Sequence, residues 1–241
     1  MIPRLPIGPI LAALLIAAPV PVAAQDDTEV GPTFLLSLGG KLYDDLWRIL
    51  DLEPPAGRNP AFPADAKVGS SRETWRCVTC HGWSYSGGEV DGLSFPALTG
   101  LAGTDPAVIT AKILDKAHPF PAQDIPELSL QLLAYFISEG LYNRATFLDE
   151  SGQALGNPEF GQGIFEGACI NCHQLDGRRY LKGEHGDRSS LGWVVRNRPE
   201  QALHKILNGV PGAEMLSLRF LPAEQIADLI AYLQALDPAE K

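Results

Sequence analysis

The sequence predicts an all-α protein made of two tandem helical domains with long loops. Three observations support this fold class: a short cysteine motif occurs twice, amphipathic segments follow each copy in the same order, and proline and glycine interrupt the stretches between them. Apolar residues in the amphipathic segments recur every three or four positions, as on the buried face of a helix. The chain has 241 residues, enough for two domains of roughly 100 residues each.

The repeated motif is Cys-x-x-Cys-His, which is the sequence form of a covalently attached c-type haem. The two cysteines of each copy can form thioethers to the haem vinyl groups, and the adjacent histidine can bind the iron. The predicted haem-attaching residues are Cys77, Cys80, Cys169 and Cys172, and the predicted proximal iron ligands are His81 and His173. We therefore expect two covalently bound haem c groups, which use all four cysteines of the chain.

Cys-x-x-Cys pairs also occur in zinc ribbons and in thioredoxin-like dithiols. A zinc ribbon places its two pairs about 15–20 residues apart, whereas the pairs of this chain lie much further apart. A redox dithiol follows a βαβ pattern, which the sequence lacks. The histidine directly after each pair therefore favours haem over both alternatives.

Helices are predicted from apolar spacing and from the proline and glycine residues at their ends. In the first half we expect helices over about residues 41–50, 106–116 and 125–139. In the second half we expect them over about residues 158–169, 199–207 and 222–236. Loops are expected over residues 87–103 and 176–190, and a long proline-rich loop over residues 51–73 is expected to pack over the edge of the first haem.

The two halves align at several points, which indicates an internal duplication. Matching positions are Gly39 and Gly161, Tyr43 and Phe165, Pro106 and Pro199, Lys112 and Lys205, and Tyr135 and Tyr232. In this alignment His118 takes the place of Met215, because each lies seventeen residues before its tyrosine.

Met215 is predicted to be the second axial ligand of the second haem. It lies in a loop before the last helix, and Met1 is the only other methionine of the chain. Core packing is the alternative role for such a residue. Two histidines of the same half were weighed against it: His185 is expected to be exposed to solvent, and His204 to be an ordinary helical side chain.

The first half contains no methionine after the N-terminal leader, so its haem is expected to use His118 as the second axial ligand. Imidazole is a stronger donor to ferric iron than a thioether, so a His81/His118 pair predicts a lower potential for the first haem. Alternatively, His118 is structural, and the iron is open or bound by Lys112 or Lys116.

Residues 1–24 are predicted to be a secretory signal peptide, since Arg4 precedes an apolar run that ends in small residues. An uncleaved membrane anchor is the alternative, although three prolines in the run argue against a stable spanning helix. Export agrees with haem attachment outside the cytoplasm, so we expect a periplasmic protein.

Together these features resemble dihaem cytochromes built from two class I cytochrome c domains, as in the cytochrome c4-like group. The resemblance covers nearly all of residues 39–236, and it departs from the family pattern at His118 and at the insert before the first motif. It implies two tandem class I cytochrome c domains with haem-wrapping loops. These would be residues 25–148, with a His/His haem, and residues 149–241, with a His/Met haem.

The expected function is electron transfer from a reduced donor protein to a higher-potential acceptor, without catalytic residues. A formal net charge of −10 disfavours nucleic acid as a partner, and a membrane-bound or periplasmic oxidoreductase is the expected kind of partner. The alternatives are a haem-based oxidoreductase and a cytochrome subunit of a larger dehydrogenase. A peroxidase would need an open iron, which His118 is expected to fill, and a thiosulfate-oxidising haem would need a further cysteine.

Overall fold

This computed structural model describes residues 30–121, 124–181 and 189–239. Capping side chains mark the starts of several of its helices. The Asp105 side chain caps one helix by accepting a hydrogen bond from the Ala107 N–H at 2.8 Å. Asn157 caps another helix in the same way, at the Glu159 N–H. The predicted signal peptide and His185 lie outside the described residues.

Helices make up most of the regular structure in the described part of the chain. The first half contains α1 (Pro32–Ile49), α2 (Cys77–His81), β1 (Gly88–Val90), β2 (Leu93–Phe95), α3 (Pro106–Ile113) and α4 (Glu127–Glu139). The second half contains α5 (Pro158–Ala168), α6 (Ile170–His173), α7 (Leu191–Asn197), α8 (Pro199–Asn208) and α9 (Ala223–Ala235). Short 3-10 turns occur at Ser71–Trp75, Thr99–Leu101 and Arg144–Thr146. Helices α3, α4, α5, α8 and α9 lie close to their predicted bounds.

Two elements were not predicted from the sequence. The antiparallel hairpin of β1 and β2 lies in an expected loop, and its turn residues Asp91 and Gly92 both have positive φ, at 46° and 78°. An Asp-Gly pair is a strong signal for such a turn, so the sequence contained this information. Helix α7 begins where the Ser190 hydroxyl accepts from the Trp193 N–H, a cap that short polar side chains commonly supply.

Each half repeats one helix crossing, in which its first helix packs against its last helix at a glycine. A Cβ on Gly39 of α1 would lie 2.4 Å from the Leu132 carbonyl oxygen of α4. A Cβ on Gly161 of α5 would lie 2.0 Å from the Asp228 carbonyl oxygen of α9. Helix α1 therefore extends well before the predicted start near Lys41, because its glycines lie at a crossing and not at a helix end.

The crossings also fix the alignment of the two halves. They place Tyr43 against Phe136, with ring centroids 5.9 Å apart, and Phe165 against Tyr232, at 5.4 Å. The counterpart of Tyr232 is therefore Phe136, and the alignment through Tyr135 is wrong by one residue.

The apolar core is continuous through the described residues from Gly31 onward, which form one compact unit. Helices α1 and α8 pack against each other, so the two halves of the chain share a buried boundary. Within the described ranges, no helix combines the length and the apolar character needed to cross a membrane.

Candidate haem-binding sites

The first cysteine motif forms the short helix α2, which ends at Gly82, where the backbone is left-handed with φ 74°. His81 at its end is 8% exposed. Its Nδ1 lies 2.8 Å from the Pro96 carbonyl oxygen, which can only accept a hydrogen bond, so Nδ1 carries the proton. Burial lowers the pKa of His81 and so also favours the neutral ring. The ring therefore has an unprotonated Nε2, the form that binds a metal.

His118 lies opposite His81, with ring centroids 6.1 Å apart and ring planes inclined by 37°. Its Nδ1 lies 2.8 Å from the Lys112 carbonyl oxygen, so its Nε2 is also left unprotonated when the ring is neutral. Imidazole–metal bonds are about 2 Å long, so two imidazoles on opposite sides of one metal place their nitrogens about 4 Å apart. The separation of the ring centres accommodates that arrangement. The two residues thus fit an iron with two histidine ligands.

Backbone and aromatic contacts hold the His118 ring in place. The backbone N–H of His118 donates to the Asp115 carbonyl oxygen at 3.0 Å. The Phe120 ring is stacked nearly parallel to it, with centroids 6.5 Å apart, and also contacts Trp47 and Trp75. The alternative ligands Lys112 and Lys116 are exposed side chains on the same segment.

The proline-rich insert before the first motif packs on the segments that hold His81. The Trp75 indole N–H donates to the Gly57 carbonyl oxygen at 3.0 Å. Phe62 of the insert stacks on Phe95, with centroids 6.0 Å apart, directly before the proline whose carbonyl binds His81. The insert therefore packs beside the first site, and its predicted position over a haem edge stays a prediction.

The second motif has the same local form as the first. Helix α6 ends at His173, and the next residue, Gln174, takes a left-handed backbone with φ 63°, as Gly82 does after α2. Burial lowers the pKa of His173, so its ring is also neutral. Its Nδ1 is buried and has no hydrogen-bond partner among the described residues, and its ring contacts Tyr180 edge-on at 5.6 Å.

Met215 lies in the loop between α8 and α9, where it is half-buried against the core. Two bonds to α8 hold this loop: the Ser217 hydroxyl donates to the Leu207 carbonyl oxygen at 2.6 Å, and the Leu218 N–H donates to the Ile206 carbonyl oxygen at 2.9 Å. The loop is therefore fixed just after the turn that carries Met215, whose role as an iron ligand stays a prediction.

None of the four cysteines forms a disulfide, and burial shifts the pKa values of three of them. Burial raises the pKa of Cys77 to about 12 and the pKa values of Cys80 and Cys169 to about 11. A redox-active dithiol uses a thiol with a lowered pKa. The protein environment thus disfavours the dithiol alternative.

Sequence reasoning missed two kinds of residue at these sites. The Pro96 and Lys112 carbonyls that hold the histidine protons are backbone groups, which leave no side-chain signal in a sequence. The expectation for His204 was wrong, because this side chain is fully buried and its two nitrogens bind residues of the first half.

Comparison with known proteins places part of the chain in a family. The family model for cytochrome c matches residues 159–237. One of the subunits of nicotinate dehydrogenase from Pseudomonas putida is 24% identical over 207 aligned residues, which cover 68% of this chain. The chain spans 17% of the length of that relative.

Residues 159–237 are therefore a cytochrome c domain. This domain contains the second motif and Met215, and its family implies a covalently bound haem c and a role in electron transfer.

Proposed function

We propose that the protein is an exported dihaem c-type cytochrome that passes electrons from a reduced donor to a higher-potential acceptor. One observation carries the proposal: His81 and His118 face each other with both Nδ1 protons held by backbone carbonyls. His81 ends a Cys-x-x-Cys-His motif, and His118 follows it in the half of the chain that precedes the cytochrome c domain. Export to the periplasm is part of the proposal and rests on the N-terminal apolar run.

Haem c, when bound, supplies the one-electron chemistry at each site. The chain holds the groups through Cys77 and Cys80 in the first half and through Cys169 and Cys172 in the second. At the first site, the backbone carbonyls keep each imidazole in one tautomer and one orientation. Phe120 packs against the His118 ring and against Trp47 and Trp75, and this packing supports a closed iron over a reactive one.

The two proposed ligand sets give the protein a direction. Imidazole in place of a thioether lowers the potential of the first haem relative to the second. A difference of about 60 mV gives a tenfold equilibrium bias for one electron. Electrons entering at the His81/His118 site would therefore come to rest at the His173/Met215 site before they leave.

The second candidate function is that of an electron-transfer component in a larger dehydrogenase. The similarity to the nicotinate dehydrogenase protein favours it, although this chain spans 17% of that protein. This candidate keeps the same chemistry at both sites and differs in the partner, which would be a bound oxidoreductase instead of a diffusing one.

Mass spectrometry of the denatured protein tests the dihaem proposal. The mass should exceed that of the polypeptide by two haems, because thioethers survive denaturation. The double variant C77S/C80S should retain one haem, and C169S/C172S should retain the other. A wild-type mass with one haem or none would contradict the proposal.

A further inference from the structure

His204 is a fully buried histidine that joins the two halves of the chain. Its Nε2 lies 3.0 Å from the Gly40 carbonyl oxygen, and its Nδ1 lies 2.9 Å from the Tyr85 hydroxyl oxygen. Because a carbonyl only accepts, Nε2 carries the proton, and Nδ1 accepts the proton of the tyrosine hydroxyl. Helix α8 of the second half thus binds α1 and the segment after the first motif. We call His204, Tyr85 and Gly40 the His204 network.

The His204 network occupies positions at which the internal duplication is broken. By the spacing of the motifs and helices, the counterparts in the other half are Ala111 for His204, Gln162 for Gly40 and Gly177 for Tyr85. The helix crossings and cysteine motifs are repeated in both halves, whereas these three residues are not. The His204 and Tyr85 side chains therefore serve something other than the common fold.

The backbone at Tyr85 is strained, and this strain also indicates a specific role for the residue. Its φ is 61°, in the left-handed region, and its counterpart Gly177 has a φ of 67°. Glycine adopts this conformation freely, whereas a bulky residue does so at a cost and persists only where the surroundings require it. The first half thus keeps a tyrosine where the fold favours glycine. The Tyr85 ring packs among other aromatic rings of the first half, and its hydroxyl gains the hydrogen bond to His204.

Helix α8 approaches α1 so closely that a side chain at Gly40 would overlap the Asn208 side chain. A Cβ on Gly40 would lie 2.2 Å from the side-chain Cγ of Asn208. Beside this contact, Asp44 is 1% exposed and binds Lys205 of α8 at 2.6 Å as well as Arg76, the residue before the first motif. The boundary is therefore tightly packed and carries specific polar pairs.

Helix α8 also connects this boundary to the second predicted site. His204 faces the first half, and within the next turn Ile206 and Leu207 hold the loop that carries Met215. On the other side, the His204 ring contacts Trp83, two residues after His81, with centroids 5.2 Å apart. A shift of α8 would therefore change the position of the Met215 loop relative to the first site.

We propose that His204 is a positioning residue that fixes the second haem-binding site against the first and so sets the rate of electron passage between them. This inference rests on the proposed function as a dihaem electron carrier. His204 acts through Tyr85 and Gly40 and touches neither predicted iron ligand set.

The charged and titratable groups around His204 come from both halves. Asp44 of α1, Lys205 of α8 and Arg219 lie near enough to influence it, and the Tyr43 and Tyr85 rings pack against it. Burial lowers the pKa of His204 to about 4. At neutral pH the ring keeps the acceptor that Tyr85 needs, and protonation in acid removes it. Electron passage between the haems should therefore slow as the pH approaches 4 in the wild type.

The test is single-electron photoreduction of the holoprotein. The absorption change of each haem is then recorded over time, which gives the rate of electron passage between the haems. The rate of electron passage depends on the distance and orientation of the two haems, which the contact of α8 with the first half would set. We expect H204L and Y85F to slow the inter-haem phase several-fold, with both haem potentials unchanged. H204Q can donate to Gly40 and accept from Tyr85, so it should restore a fast phase and remove the acid dependence.

The matched control is E200Q, which removes the partly exposed ion pair of Glu200 with Arg144 across the same boundary. We expect it to keep the wild-type rate, since such pairs contribute little. If H204L does not fold, Y85F decides the question. A wild-type rate in H204L or Y85F, or an H204Q variant that stays slow, would overturn the inference. A wild type without two haems, or without any electron passage between them, would instead refute the proposed function.

Discussion

The chemistry of the first site depends on where two protons are held. Pro96 and Lys112 each bind an Nδ1 through a carbonyl oxygen, at 2.8 Å in both cases, so the neutral rings of His81 and His118 carry the proton on the same nitrogen and leave Nε2 unprotonated. The sequence proposes both histidines as ligands, one from its motif and the other from the duplication, and the structure places their rings side by side. Their role as iron ligands stays a prediction. Their carbonyl partners could not be predicted, because they depend on how the loops fold around the two rings.

The first prediction concerns the donor at residue 118. H118M should raise the lower of the two potentials, because a thioether stabilises ferric iron less than imidazole does. Redox titration of the variant beside the wild type measures this change. The potential of the other haem should stay the same and serves as the internal control. A shift in the higher potential alone would mean that His118 is not a ligand of the first iron.

The second prediction concerns Met215. M215A should lower the higher potential and let the second haem bind carbon monoxide, because the substitution removes the predicted distal ligand. Near-infrared absorption of the ferric protein should lose its methionine–iron charge-transfer band. L216A, at the exposed neighbour, is the control and should keep the band. An M215A variant with the wild-type band would show that the sulfur does not bind the iron.

The third prediction concerns the loss of stability in acid that His204 causes. Its pKa is lowered from 6.5 to about 4 in the folded protein, so the unfolded chain binds more protons between these values. The contribution to the free energy of unfolding is then complete above about pH 6.5 and is lost as the pH falls towards 4. A shift of this size corresponds to about 3 kcal/mol.

Guanidinium unfolding at pH 7 and at pH 4.5 measures this effect. The wild type should lose more stability between the two pH values than H204Q, which does not titrate. An equal loss in the two proteins would mean that His204 is protonated in the native state, or that its protonation does not change the free energy of unfolding. Other buried groups titrate in both proteins alike, so the difference between the proteins isolates His204.

At the scale of the elements, the structural role of two glycines differs from the role that the sequence suggests. Gly39 and Gly40 look like the start of a helix, yet both lie inside α1. Gly39 makes room for α4 and Gly40 for Asn208 of α8. A sequence cannot distinguish a glycine that ends a helix from one that admits a neighbour, because the neighbour belongs to another part of the chain. By contrast, the helix starts predicted at Pro106 and Pro158 are confirmed.

The fourth prediction tests these crossings in one helix. G161A should destabilise the protein by at least about 2 kcal/mol, because the added methyl group would overlap the α9 backbone. G163A, two residues later in α5, meets nothing within 4 Å and should stabilise the protein by about 0.5–1 kcal/mol. Thermal unfolding of the two variants gives the comparison. Similar effects of the two substitutions would contradict the crossing.

At the scale of the whole molecule, the duplication predicted the order of the main helices and the repeated motifs. It did not predict the boundary between the halves, because the residues that form it are those at which the repeat fails. An alignment of the two halves therefore gives no sign that His204 and Tyr85 contact each other, although it matches residues near them. The family match covers residues 159–237, so the proposal of a haem in the first half rests on the motif and the geometry of that half.

Electron paramagnetic resonance of the fully oxidised protein tests the central claim, two closed haems with a His81/His118 pair at the first, most directly. We expect two low-spin ferric signals of equal intensity, one from a bis-histidine iron and one from a histidine–methionine iron, without a high-spin component. In H118A, the bis-histidine signal alone should be replaced by a high-spin one. A wild-type spectrum with one haem per chain, or with a high-spin signal equal to one haem, would contradict the account.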